Sequence, residues 1–404
     1  MNVVALRSFN RDAQPVAAAD SRIARVEVFR DWAEAEPHWR ALERQSGACG
    51  SLATPYQAFD FLKSWQNHIG AACGVTPFIV TGFNAQGEAL FVWPLGLRRR
   101  AGRRVVEFLG GKHTNFNMAL WRRDAAADIG VEELRGVLAG LAHEADAIML
   151  TNQPLTWAGA TNPFALLPHQ ASASFGHSGA LAPDFEALLR DRTNAATRKK
   201  MRKKERALAE MGAVRFERVA GDENIRRVLD VFFKQKAARM RAIGASDAFA
   251  EPGVRRFIES GTALRGGAAL IELYALSVDD IVVATFGGIT GGGRFCAMFN
   301  SIASGRYAAE SPGEQLLVHL VRQCCERGFD TFDLGIGESR YKGLFCGDAE
   351  PLFDSYWPLT ASGHGVVVAW RVAAAVKRMI KQRPALWSIV RAMRGLRAGI
   401  AAML

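Results

Sequence analysis

The chain spells one order of elements twice, and that limits its folds more than any other feature. From Pro77 it reads PFIVTGF, EALFVWPLGLRR and RVVEFLG, joined by AQG and RAGR turns. The short run NFNMALW, a helical pattern over Val131 to Glu144 and a strand over Ala147 to Leu150 follow. From Ala269 it reads ALIELYALSV, IVVATFGGIT and RFCAMFNSIA, joined by DD and GGG turns, then a helix from Ser311 and the strand DTFDLGI. The offset is roughly 185 to 195 residues, and no residue identity is visible across it. The order predicts an α/β (α+β) protein of two lobes, each a mixed, mainly antiparallel sheet flanked by helices.

Length agrees, since 404 residues are long for one core. We expect a loose leader over 1–22, a first lobe over 23–180, a second over 181–360 and a basic helical tail over 361–404. In the first lobe, Val26 to Phe29 reads as a strand. Helices follow from Asp31 to about Gln45 and from Tyr56 to about Ile69, with Trp39 and Trp65 as core residues. The Pro-, Ser- and Gly-rich stretch from Thr151 to Pro183, with one strand near Ser172 to Phe175, connects the lobes.

The helix SPGEQLLVHLVRQCCER starts at Pro312 behind Ser311 as N-cap. It stacks Leu316, Leu317, Leu320, Val321, Cys324 and Cys325 on one face. Its N-terminus, with Gly313 clearing the approach, offers unpaired N–H groups to an anion; an ordinary capped surface helix has the same pattern.

Nine basic residues between Arg190 and Arg206, Arg198 and Arg202 among them, face Asp191 and Glu205 over a thin apolar stripe of Met201, Leu208 and Met211. That is a solvated charged helix or a surface for nucleic acid or an anionic headgroup. The six cysteines form no CxxC pair and have no histidine at metal spacing, so we expect no metal and a reduced, cytoplasmic interior. No apolar run has signal-peptide or membrane-spanning length. The net charge is +11, and Ser355 to Leu404 holds eight Lys or Arg and no acid.

PYQAFDFLKSW, GGKHTNFNMALW, TRKKMRKKERAL, LYALSVDDIVVATFGG, RYAAESPGEQLL and FDLGIGESRYKGLF, in this order and spacing, resemble the Gcn5-related N-acetyltransferase (GNAT) superfamily. Within it they resemble the CelD/BcsL group associated with cellulose and exopolysaccharide biosynthesis. The resemblance covers about Val26 to Thr360. It implies tandem GNAT-like lobes, as in Fem-type transferases, and an acyltransferase using acetyl-CoA or another acyl-CoA. It also places the donor's pyrophosphate at Ser311, Pro312, Gly313 and Glu314. The usual donor loop, Q/R-x-x-G-x-G/A, is reduced here to its last glycine, and Fem-type relatives take aminoacyl-tRNA instead.

Acyl transfer needs a deprotonated acceptor, donors for the oxyanion and a proton for the departing thiolate. Asp333 at the end of the closing strand and Glu338 in GIGES are the base candidates. Tyr341 is the acid candidate, and Lys342 resembles a lysine that the group places after its last central strand. The pair also reads as a plain surface turn. In the first lobe, Lys112, His113, Asn115 and Asn117 crowd one loop and suit a hydroxyl-rich or charged acceptor, with Arg198 and Arg202 as further substrate contacts. Gly335-x-Gly337 lacks the rest of a dinucleotide fingerprint.

In the tail, Val366 to Ile380 and Leu386 to Ile400 read as helices broken at Pro384. They suit an anionic membrane surface at the inner face, beside a polysaccharide synthase, or packing on the protein's own core or on a second subunit. Three functions stay open: an acyl-CoA-dependent acyltransferase, a Fem-type aminoacyl-tRNA-dependent transferase, and a catalytically silent scaffold that binds partners through its basic helix and tail.

Overall fold

The structure is a computed structural model and describes residues 22–45, 50–263, 269–337 and 343–383. The chain divides into two units: the residues up to Ser174 with Pro351–Met379, and Phe175–Glu350 with the residues from Ile380 on.

In the first unit, β1 (Arg25–Phe29), α1 (Trp32–Glu43) and α2 (Phe59–Trp65) precede a meander of β2 (Thr76–Phe83), β3 (Ala89–Arg100) and β4 (Arg103–Phe108). Next come α3 (Val131–Gly140), shorter than the sequence pattern predicts, and β5 (Ala147–Pro154). β1 to β4 pair antiparallel and β5 runs parallel to β4. Trp39 and Trp65 are buried in this unit's core, as their helical spacing predicts, and Trp39 Nε1 donates to Gln57 O at 3.0 Å.

The second unit runs from β6 (Gln170–Ala180), which starts in the first, through α4 (Phe185–Arg192), α5 (Ala195–Ala209), β7 (Val214–Arg218), α6 (Asp222–Ala242) and α7 (Val254–Thr262). The second meander follows, β8 (Glu272–Val278), β9 (Ile281–Gly291) and β10 (Arg294–Ile302), then α8 (Pro312–Glu326) and β11 (Thr331–Ile336). Gly292 and Gly293, with φ of 56° and 71°, close the β9–β10 turn, where a twisted hairpin needs positive φ twice. Within this unit the sheet order is β6-β11-β10-β9-β8-β7, with only β10 and β11 parallel. The expected repeat of meander, helix and closing strand is therefore present in both units, and in each the closing strand runs parallel to its neighbour in the meander.

Beyond these lie β12 (Asp348–Pro358) and α9 (Ala361–Gln382). β12 pairs antiparallel with β5, while β6 pairs antiparallel with β11. Thus β6, which comes after the first closing strand, joins the second unit's sheet, and β12, which comes after the second, joins the first unit's. The sequence reading lacks β12 because Pro351 and Pro358 punctuate it. Its ladder slips between Phe353 and Ser355.

α9 packs on the first unit through Val367, which is 2% exposed, against Tyr356 and Ala147. Gly363 passes so close that a Cβ there would overlap the Asp146 carbonyl. The helix expected over Leu386 to Ile400 lies outside the described residues. Among the described residues, no helix is long and apolar enough to cross a membrane.

Candidate functional site

β9 and β10 pair from Gly291↔Arg294 to Gly288↔Ala297, and again from Gly287↔Phe299 to Ala284↔Ile302. Met298 is therefore the extra residue of a β-bulge. β10 and β11 pair only over Arg294–Cys296 and Thr331–Asp333. Both strands continue past that point, to Ile302 and Ile336, without pairing with each other, so the sheet opens as a fork at the bulge. The bond from Ala303 N–H to Val283 O, 2.8 Å, fixes the phase of the β9–β10 ladder. Phe299 and Ser301 bond toward β9, so Asn300 and Ile302 turn their N–H and C=O groups to the open edge.

Asp333 sits in the middle of β11, fully buried, at the closed end of the fork. Its Oδ2 accepts from Arg294 Nε at 3.2 Å and Nη2 at 2.8 Å, and its Oδ1 accepts from Gly335 N–H at 2.5 Å. Arg294 Nη2 also reaches Glu350 Oε1 at 3.0 Å, and Ser178 Oγ donates to that same oxygen. Burial pushes the Asp333 carboxyl up to about 7, against the pull of the Arg294 charge and the Gly335 N–H. Asp333, expected as a base candidate near the end of this strand, thus has partners on both carboxylate oxygens. Arg294, Glu350 and Ser178 escaped the sequence reading; the one signal was a charged residue opening the apolar run RFCAMF. Glu338, Tyr341 and Lys342 lie outside the described residues.

α8 begins at Pro312 as predicted, and its six-residue apolar stripe is buried. The cap is different. Ser311 is left-handed, φ 52°, and its side chain makes no capping bond. Its Oγ accepts from Lys204 Nζ instead, and its carbonyl accepts from the N–H groups of Glu314 and Gln315 at 3.0 and 3.2 Å. With Pro312 lacking a donor, the first turn offers an anion far fewer N–H groups than expected. Gly313 also has another role, because a Cβ there would meet Ile302 Cγ2 at 2.6 Å. It lets α8 start tight against the end of β10's open edge.

The outer face of α8 and the basic helix α5 enclose a cavity of about 230 Å³. Arg198, Arg202, Lys204 and Arg322 line it with Ser311 and Glu314, so two sets of residues singled out separately in the sequence meet there. Lys204 Nζ is 3.9 Å from Glu314, and Arg322 is tied to Glu186 at 2.9 Å, whereas Arg202 has no ion-pair partner among the described residues. The buried Gln315 donates its Nε2 to the carbonyls of Glu310 and Lys204, at 2.9 and 3.2 Å, and its Oε1 has no partner among the described residues. His319 stacks on Phe216 at 5.2 Å, and burial lowers its pKa. The cavity thus brings four cations together with Glu186, Glu205 and Glu314 beside the apolar Leu189, Met201 and Val318.

In the first unit, His113 Nδ1 accepts from Trp65 Nε1 at 3.1 Å, and Asn115 Nδ2 donates to Tyr56 OH at 2.8 Å. Asn117 is buried, with Nδ2 on Thr151 O and Oδ1 taken by Thr114 Oγ1. Lys112 is exposed on the same turn. Asn117 therefore holds the loop together rather than facing a ligand.

Residues 195–343 match the acetyltransferase (GNAT) domain family. The matched stretch takes in α5, the second meander, the fork and α8. No curated protein matches the chain by sequence. Among solved structures, it is similar to the C-terminal domain (DUF2156) of a protein described as a lysylphosphatidylglycerol synthetase from Agrobacterium fabrum. The identity is 12% and the TM-score 0.50, covering 86% of this chain and 96% of that one. It is also similar to a conserved protein of unknown function from Bacteroides thetaiotaomicron (9% identity, TM-score 0.50, 81% and 98% covered). FemX is a further neighbour, at 11% identity and a TM-score of 0.49, with 75% and 96% covered. The two likenesses at 0.50 show a shared fold, and the match over residues 195–343 is what marks that stretch as GNAT-like.

Proposed function

We propose that the GNAT domain transfers an acyl group from an acyl-CoA, acetyl-CoA in the simplest case, to an amine or hydroxyl. The observation that carries this is the fork, whose open edge ends where Gly313 packs on Ile302 beside the cavity lined by Arg198, Arg202 and Lys204. The pantetheine arm of coenzyme A is an extended chain with two amides, suited to adding along an open strand edge. Its phosphates are suited to Arg198, Arg202 and Lys204.

Glu338 becomes the preferred base, because Asp333 is enclosed by Arg294. Tyr341 would protonate the leaving thiolate, and Lys342 would steady the developing charge. A saccharide acceptor, linked to cellulose or exopolysaccharide synthesis, rests on the resemblance to the CelD/BcsL group, and contact with a membrane or synthase rests on the basic tail. Thiol release from acetyl-CoA, measured over a panel of amino sugars and oligosaccharides, tests this. Tyr341→Phe should lower kcat by about ten-fold or more with donor affinity unchanged. Unchanged turnover would remove Tyr341 from the reaction.

A second reading has its own support: Lys199, Lys200, Lys203 and Arg206 are exposed on α5 and suit a polyanion such as aminoacyl-tRNA. Salt-sensitive tRNA binding without coenzyme A binding would favour it.

A further inference from the structure

Lys236, on α6, is a half-buried cation whose Nζ donates to the main-chain carbonyl of Asn300 at 3.1 Å and lies 5.1 Å from the centre of the Phe249 ring. That carbonyl belongs to the open edge of β10, because the ladder phase turns Asn300 away from β9. The ammonium is therefore placed at the fork. Among the described residues, no carboxylate lies within ion-pair distance of it. The nearby Asp247 caps its own turn by accepting from Phe249 N–H at 3.0 Å, and Arg239 adds a like charge.

Neighbouring α6 side chains show what a structural contact looks like here. Gln235 bonds Val282 O at 2.9 Å and accepts from Ser301 Oγ at 2.6 Å, both ends satisfied. Lys236 instead holds its half-buried charge on a neutral carbonyl and a ring face, with the Asp247 carboxylate acting on it only from beyond ion-pair distance. Such an arrangement costs stability unless an anion completes it. Burial and Arg239 accordingly lower its pKa from the usual lysine value.

We propose that Lys236 is the cation that meets a negatively charged oxygen at the open edge of β10. The proposal rests on the acyl-transfer reading, under which that oxygen is either the oxyanion formed as the acceptor attacks the thioester carbonyl or a carboxylate of the acceptor. In both cases the lysine holds charge and gives up no proton.

The test uses the full chain with Lys236→Met, which keeps the stem and removes the charge, and Lys236→Arg. Two readouts apply. Thermal unfolding without ligand should show Lys236→Met raising Tm by about 2 °C or more, since an unbalanced charge is gone while the Asn300 carbonyl stays at an open edge. Thiol release from acetyl-CoA, with hydroxylamine and with glycine as surrogate acceptors, should fall by about ten-fold or more, with Lys236→Arg recovering part. Loss with both acceptors assigns the oxyanion, and loss with glycine alone assigns an acceptor carboxylate. A lower Tm in Lys236→Met would make the residue a structural strut and overturn the proposal, as would unchanged turnover with both acceptors. If the wild type releases no thiol, the acyl-CoA reading fails, and the Tm shift still decides whether Lys236 is an unbalanced charge.

Discussion

Burial and Arg294 pull Asp333 in opposite directions, and burial is the stronger, leaving the carboxyl at about 7. A folded-state value above the ordinary 3.8 means that the folded protein binds this proton more tightly than the unfolded chain. The stabilisation is fully present below about pH 4 and is lost as pH rises through about 7. Urea unfolding across that range should show Asp333→Asn flattening the decline; an equal slope in both proteins would contradict it. Arg294→Leu should destabilise the protein more at pH 8 than at pH 5, because only the ionised Asp333 carboxylate needs the cation. The sequence shows an acid in an apolar strand but not which element supplies its partner. Arg294 is 39 residues away along the chain, and only the parallel register of β10 and β11 brings it alongside.

Helix α8 shows the same division at the next scale. Its start, its length and its buried face follow from Pro312 and the spacing of six apolar residues, all local facts. The purpose of Gly313 does not, because the group that needs the space is a methyl of Ile302 on another element. Gly313→Ala should therefore destabilise the protein by about 1–3 kcal/mol, and shortening the neighbour with Ile302→Ala should recover part of it. Chemical denaturation of the single and double variants checks this; additive losses would contradict the contact. The bulge at Met298 was equally unreadable, since it exists only as a mismatch between two ladders.

At the scale of the chain, the doubled order of meander, helix and closing strand was legible because each piece is short-range pattern. The exchange of β6 and β12 was not, because strand partners are chosen by distant sequence. One consequence is that α9 is part of the first unit's packing. Truncation after Thr360 removes Val367 and Trp370 from Ala147 and Tyr356, so limited proteolysis should cut the first unit faster than in the full chain. An unchanged cleavage rate would contradict this packing.

The proposed reaction requires that the cavity between α5 and α8 and the fork beside it take coenzyme A. Isothermal titration of the full chain with acetyl-CoA should give micromolar binding, weakened by about ten-fold or more in the Arg198→Glu, Arg202→Glu double variant. Absence of binding to coenzyme A, or undiminished binding in the double variant, would contradict the account.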